Sequence, residues 1–120
     1  MTRTLAAIAL AVGLAGTTLA GQAPDPKLAA DGKKLYATYK CDKCHMIAGK
    51  GSKKGPLDGV GAKLSAAEIK KWMTEPAEME KTLEKPPKGT DAMSNALKTK
   101  GIEPGEIDSL VAYMRTLTKK

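Results

Sequence analysis

The sequence has few of the residues that usually fill a small core or bind a metal ion. Its 120 residues include no phenylalanine, one tryptophan and three tyrosines. Aromatic side chains bury large apolar areas, so the core of this chain needs another source of apolar contact. Its only histidine is His45, and its only two cysteines are Cys41 and Cys44. A zinc site made of four cysteine or histidine ligands is therefore excluded within one chain.

The length and the charge balance favour a single small, basic domain. Twenty lysines and arginines stand against 13 acidic residues, which gives a formal net charge of +7 at pH 7. A chain of this length usually forms one domain. Neither an internal repeat nor a low-complexity linker divides it.

The first 20 residues have the pattern of a secretory signal peptide. Arg3 is a short positive segment, an apolar run follows, and small residues lead to Ala20. The run is too short for a comfortable membrane span. We expect cleavage after Ala20, or as late as Ala23, and a mature domain over residues 24–120. The predicted location is periplasmic, with a retained N-terminal anchor as the alternative.

Candidate helix starts occur at four places in the mature chain. Asp25 followed by Pro26 is a typical start, and Ser65–Glu68 has the pattern of a capping box. Pro76 ends the second predicted helix or starts the next, and Pro104 opens the last one. The last helix carries an apolar stripe made of Ile107, Leu110, Val111, Met114 and Leu117.

The connecting segments have the composition of loops. Residues 49–64 are rich in glycine and lysine, and residues 85–93 contain two prolines and a glycine. No segment alternates polar and apolar residues for long enough to predict a strand. The sequence therefore predicts an all-α domain of about four short helices and long loops.

The cysteines and the histidine form one motif, Cys41-x-x-Cys44-His45. A thioredoxin-like redox pair expects a βαβ context, which this sequence lacks. A disulfide over two intervening residues would close a very small loop and stabilise little. Attachment of one covalent c-type haem fits best, because each thiol adds to a vinyl group and the adjacent imidazole reaches the iron. A buried porphyrin would also supply the apolar area that the missing aromatic residues do not.

From Gly32 to Leu117 the chain resembles the small monohaem class I cytochromes c. The resemblance implies a cytochrome c fold wrapped around one haem, with N-terminal and C-terminal helices that cross. In that family a glycine and an aromatic residue of the first helix meet a leucine and a tyrosine of the last. The matching positions are Gly32, Tyr36, Leu110 and Tyr113.

A methionine is the expected second axial ligand, because no histidine other than His45 exists. Met73 and Met114 lie on apolar helical faces and are expected to be core residues. Met93 follows a loop rich in proline and glycine, where core packing alone does not explain an apolar side chain. The resemblance places the methionine ligand in such a loop before the last helix. We predict Met93, with Met79 as the main alternative and an open site as the other.

The resemblance implies roles for two more residues. Pro56 would offer its carbonyl to the Nδ1–H of His45, a bond that orients the ring. Trp72 would lie near the haem and donate to a propionate, although it could equally be a core residue. The chain departs from the family at Ser94, where many members have proline after the methionine ligand.

Ligation by His45 and Met93 predicts a soluble one-electron carrier between respiratory redox partners rather than an enzyme. Both axial positions would be filled, so no substrate could bind without displacing a ligand. The neutral thioether favours the ferrous state. A haem subunit of a multicomponent periplasmic complex is one alternative, and a gas-binding or peroxidase-like protein with an open site is the other.

Lysines are expected to surround the exposed edge of the haem and to favour acidic docking partners. A merely solvated basic face is the alternative. An exported haem protein with one tryptophan and no nucleic-acid-recognition motif is not expected to bind nucleic acid. We also expect the protein to be a monomer. The lysines in question are Lys40, Lys43, Lys50, Lys53, Lys54, Lys85, Lys88, Lys98 and Lys100.

Overall fold

Helices make up most of the computed structural model, which describes residues 23–119. The predicted signal segment, residues 1–20, lies outside these described residues. Two short 3-10 turns, Cys41–Lys43 and Gly89–Asp91, also occur. In chain order the helices are α1 Pro26–Thr38, α2 Val60–Lys63, α3 Ala66–Thr74, α4 Pro76–Glu80, α5 Met93–Leu97 and α6 Pro104–Thr116.

The predicted helix starts are confirmed. The Asp25 carboxylate accepts hydrogen bonds from two backbone N–H groups of the first turn of α1, with Pro26 at its first position. Ser65 and Glu68 form a reciprocal capping box at α3. These side chains satisfy N–H groups that have no partner within the helix, so α1 and α3 begin directly after their caps.

Helices α1 and α6 pack closely at Gly32. A Cβ atom there would stand 2.6 Å from the backbone carbon of Ser109 and 2.8 Å from Cβ of Tyr113. Only glycine allows this approach of the two backbones. One turn further along α1, the Tyr36 ring meets Tyr113 edge to face, with centroids 5.9 Å apart. Burial raises the pKa of Tyr36 to about 12.

Two predictions about the loops are wrong in detail. Residues 49–64 are not all loop. The strand β2 Lys50–Gly51 pairs antiparallel with β1 Met46–Ile47, and α2 follows. The hairpin is too short to show a period of two. Its turn uses left-handed φ values, 51° at Ala48 and 79° at Gly49, as two-residue hairpins require. The described residues hold six α-helices rather than about four.

The core lies between α3 and α6. Ile69, Val111 and Met114 form its centre, so the predicted core role of Met114 is confirmed. Apart from these and Leu110, the buried apolar residues in the described part of the chain are three alanines, Ala29, Ala92 and Ala112. Many other apolar side chains, Met73 among them, are only half-buried. Within residues 23–119, no helix is long and apolar enough to cross a membrane.

Candidate functional site

Both cysteines lie on one tight turn directly after α1. Lys40 adopts a left-handed conformation with φ 56°, which ends the helix. The Cys41 carbonyl then accepts from the backbone N–H of Cys44 at 3.1 Å and of His45 at 2.9 Å. Cys41 is half-buried, Cys44 is exposed, and both thiols are free. The turn therefore presents the two thiols and the imidazole from one short, hydrogen-bonded segment.

The surroundings of the Cys41 thiol disfavour its ionisation. Burial raises the pKa of this thiol above its ordinary value, while the nearby Lys100 ammonium opposes the shift. Lys100 itself donates from Nζ to the backbone carbonyl of Tyr39 at the end of α1. A cation at the C-terminus of a helix is favourable, so Lys100 fixes the helix end that leads into the motif.

The imidazole of His45 has one nitrogen fixed by the backbone. Nδ1 lies 3.0 Å from the carbonyl oxygen of Gly55, and because a carbonyl only accepts, Nδ1 carries the proton. Burial lowers the pKa of His45, against the hydrogen bond to Gly55, which raises it. The neutral ring therefore keeps a lone pair on Nε2, the form in which histidine binds a metal.

The carbonyl that orients His45 belongs to Gly55, which corrects the prediction of Pro56. Pro56 forms an isolated parallel bridge with Met46. In that bridge Met46 N–H donates to Gly55 O at 3.0 Å, and Leu57 N–H donates to Met46 O at 2.8 Å. The hydrogen bonds come from the residues on either side of the proline, which has no N–H to give. Pro56 thus lies in the bridge to Met46, and Gly55 supplies the carbonyl that accepts from His45.

Gly55 is a site residue that sequence reasoning missed. A Cβ atom on it would stand 2.5 Å from the Cys44 carbonyl oxygen and 2.9 Å from Nδ1 of His45. Gly51 is similarly enclosed, since a Cβ would stand 2.9 Å from the Asp42 carbonyl oxygen, and its φ is 107°. The Gly-Pro pair in the loop was the available signal, but the sequence did not tell which carbonyl would face the ring.

Met93 starts a helix instead of lying in a loop, which corrects the predicted local structure. It is the first residue of α5 and is half-buried. The residue before it, Ala92, is buried, and the one after it, Ser94, is hydrogen-bonded to Glu80. Near Met93 the Asp91 carboxylate lies 3.7 Å from Lys54 Nζ. This exposed ion pair links the segment of Met93 to the loop that follows His45.

The alternative ligand, Met79, lies on α4 and is also half-buried. Its carbonyl accepts from the backbone N–H of Thr82 at 3.0 Å and from Thr82 Oγ1 at 2.6 Å. Leu83 lies beyond the end of α4 and is exposed. Met79 therefore has a less complete apolar surrounding than a core residue, and the geometry leaves both methionines as candidates.

Trp72 is a half-buried residue of α3, next to Met73, which packs against the core. Among residues 23–119, no protein group accepts a hydrogen bond from its indole N–H. This arrangement is compatible with both predicted roles, since the N–H is free to donate to a bound anionic group.

Most of the predicted lysines are exposed. Lys40, Lys43, Lys50 and Lys53 surround the cysteine turn and its hairpin on the solvent side. Lys100 differs, because it is half-buried and bonded to the Tyr39 carbonyl. This hydrogen bond gives Lys100 a structural role at the end of α1.

The arrangement fits a covalently attached haem c. Two free thiols stand one turn apart, an imidazole is neutral with Nε2 available, and a glycine makes room for that ring. No group of three or more acidic, cysteine or histidine side chains that could hold a metal ion occurs in residues 23–119. The fold and the turn together define a small helical haem-attachment protein.

The comparison with protein families gives the same class. The family model for cytochrome c matches residues 29–118. The chain therefore belongs to the cytochrome c family, and its cofactor is a covalently attached haem c. No curated protein and no solved structure matches the chain significantly.

Proposed function

We propose that this protein is an exported one-electron carrier whose haem is ligated by His45 and Met93. The family implies a haem c electron carrier. The observation that carries the proposal furthest is the single hydrogen bond from His45 Nδ1 to Gly55 O. It fixes the imidazole in one tautomer and one orientation, next to two free thiols.

On the His45 side, each residue has a separate task. Cys41 and Cys44 tether the cofactor through thioether bonds, and the 3-10 turn sets their spacing. Gly55 accepts from Nδ1 and thereby makes Nε2 a better donor. When bound, haem c supplies a one-electron couple between ferric and ferrous iron.

The surroundings of Met93 support its assignment as the sixth ligand. Its two neighbours are anchored, Ala92 by burial and Ser94 by hydrogen bonds to Glu80. The ion pair of Asp91 with Lys54 adds a link to the His45 loop. A ligand needs a fixed backbone, and Met93 has one.

Filling both axial positions suits electron transfer and disfavours catalysis. Neither a substrate nor O₂ could reach the iron without displacing His45 or Met93. We further propose that Trp72 donates to a propionate and that α1 and α6 cross at Gly32. Both features would hold the cofactor with little movement between redox states.

The setting of this function is also proposed. Residues 1–20 would direct export to the periplasm, and residues 24–120 would form the working domain. The exposed lysines would favour an acidic protein partner of a monomeric carrier. Electron transfer to that partner should slow as ionic strength rises, because a Debye length of about 10 Å at 0.1 M screens such attraction. A rate that does not change with salt would contradict the docking proposal.

Carbon monoxide binding tests whether the site is closed. We expect the reduced holo-protein at neutral pH to bind no carbon monoxide, since Met93 occupies the sixth position. Ready binding by the wild type would favour an open-site, gas-binding protein. Isolation of the native protein as a stable complex would instead favour a subunit of a larger oxidoreductase.

A further inference from the structure

Glu80, the last residue of α4, has a buried carboxylate that binds one other residue. Its exposed fraction is 8%. Oε1 accepts from the backbone N–H of Ser94 at 2.8 Å, and Oε2 accepts from Ser94 Oγ at 2.9 Å. Among residues 23–119, Glu80 takes part in no ion pair. Burying a carboxylate is costly unless it is hydrogen-bonded, so the two bonds to Ser94 account for its position.

These bonds supply a cap that α5 does not have. Its N-cap residue is Ala92, whose side chain cannot accept a hydrogen bond. The helix has five residues, too few to be stable alone in water. A negative group at the first turn of a helix is favourable. Glu80 therefore holds α5 at the end where Met93 is the first residue.

Ser94 is well suited to this pairing, and proline would not be. Proline in its place would have no N–H to donate. Ser94 offers both a backbone N–H and a hydroxyl, and both are used. The two donors of Ser94 and the buried carboxylate of Glu80 thus belong to one arrangement.

We propose that Glu80 and Ser94 form a clamp that positions Met93 on the iron. The inference rests on the proposed function, in which Met93 is the sixth ligand. Glu80 is a positioning residue, because it acts on Met93 through Ser94. With Ala92 buried on one side and Ser94 clamped on the other, the backbone of Met93 is held from both directions.

The rate at which imidazole replaces the methionine in the oxidised holo-protein tests the clamp. At saturating imidazole this rate reports how often the ligand leaves the iron. Glu80→Gln exchanges one acceptor oxygen for an amide and should raise the rate about tenfold, as expected for losing a hydrogen bond to a charged group. Ser94→Ala keeps the backbone N–H and should raise it by less. Glu84→Gln, an exposed glutamate on the following segment, is the matched control and should leave it unchanged.

The double variant Glu80→Gln/Ser94→Ala should raise the rate by less than the product of the single effects, because both changes act on one interaction. Rates within twofold of the wild type in both single variants would overturn the clamp. If Glu80→Gln does not fold, the imidazole-replacement rate of Ser94→Ala alone tests the clamp, and a rate within twofold of the wild type overturns it. A Met93→Ala variant is measured beside them. If it keeps the sulfur-to-iron absorption band, the proposed ligation fails; if it loses the band while the clamp variants behave as Glu84→Gln, only the clamp fails.

Discussion

The two sides of the proposed haem site are built by different means. On the His45 side, backbone groups close together in the chain do the work: Gly55 O orients the ring, and Met46 bridges to Pro56. On the Met93 side, the segment is held by side chains, chiefly the Glu80 carboxylate on Ser94. A backbone frame changes little with side-chain substitution, whereas a side-chain clamp can be altered one residue at a time.

This difference has consequences for what each side tolerates. Around His45 the critical feature is the absence of side-chain atoms at Gly55 and Gly51, where any Cβ would overlap the backbone. Around Met93 the critical feature is the presence of specific polar atoms. The His45 side should therefore be sensitive to added atoms, and the Met93 side to removed hydrogen bonds.

The largest expected effect is loss of the cofactor from the His45 side. Replacing both Cys41 and Cys44 with alanine should abolish covalent haem attachment, since the chain has no other thiols. Each single replacement should impair it. Extraction with acidified acetone measures the haem that stays with the protein. Full retention by the double variant would remove the basis of the whole site.

A second, smaller effect is expected from adding one methyl group at Gly55. Gly55→Ala should lower the free energy of unfolding by about 1–3 kcal/mol, the usual range for overpacking, and should move the His45 ring. Gly105→Ala is the matched control, because nothing lies within 4 Å of a Cβ there. Its free energy should change by no more than about 1 kcal/mol. Denaturant unfolding measures both.

If Gly55→Ala and Gly105→Ala change the free energy of unfolding equally little, the backbone around His45 is not a rigid frame. NMR of the imidazole protons then shows whether the His45 ring has moved in Gly55→Ala, because a moved ring changes these signals even when stability is nearly unchanged.

The sequence predicted the features that depend on neighbouring residues. The start of α1 at Asp25 and the capping box at Ser65 are local patterns, and the structure contains them. The close contact at Gly32 was implied by the family resemblance, and the structure contains it as well. The all-α class followed from the same patterns, and the family comparison supports it.

The missed features depend on contacts between distant segments. The Gly55 carbonyl could not be chosen over that of Pro56 before the parallel bridge to Met46 was known. Helix α5 has no cap in its own sequence, and its partner Glu80 lies 14 residues earlier. No pattern of propensity or spacing points from Ser94 to Glu80.

The smallest expected effect lies away from both sides, where the Tyr39 hydroxyl donates to the Glu106 carboxylate. This hydrogen bond lowers the pKa of Glu106 and raises that of Tyr39. At pH values above the ordinary pKa of a glutamate, the lowered pKa of Glu106 contributes to the stability of the folded state. That contribution is lost as the pH falls through the lowered pKa. Tyr39→Phe should therefore be slightly less stable than the wild type at neutral pH, and the difference should shrink in acid. Unfolding curves at several pH values measure it, and a difference that stays constant in acid would contradict the assignment.

The central claim, ligation by His45 and Met93, is tested most directly by the sulfur-to-iron absorption band of the oxidised holo-protein in Met93→Ala and Met79→Ala. If Met93 is the ligand, Met93→Ala loses the band, has a lower reduction potential and binds carbon monoxide when reduced. Met79→Ala should keep the band and should lose less stability than the about 2–5 kcal/mol typical of a fully buried methionine, because Met79 is half-buried. Loss of the band in Met79→Ala and its retention in Met93→Ala would contradict the account and assign the ligand to α4.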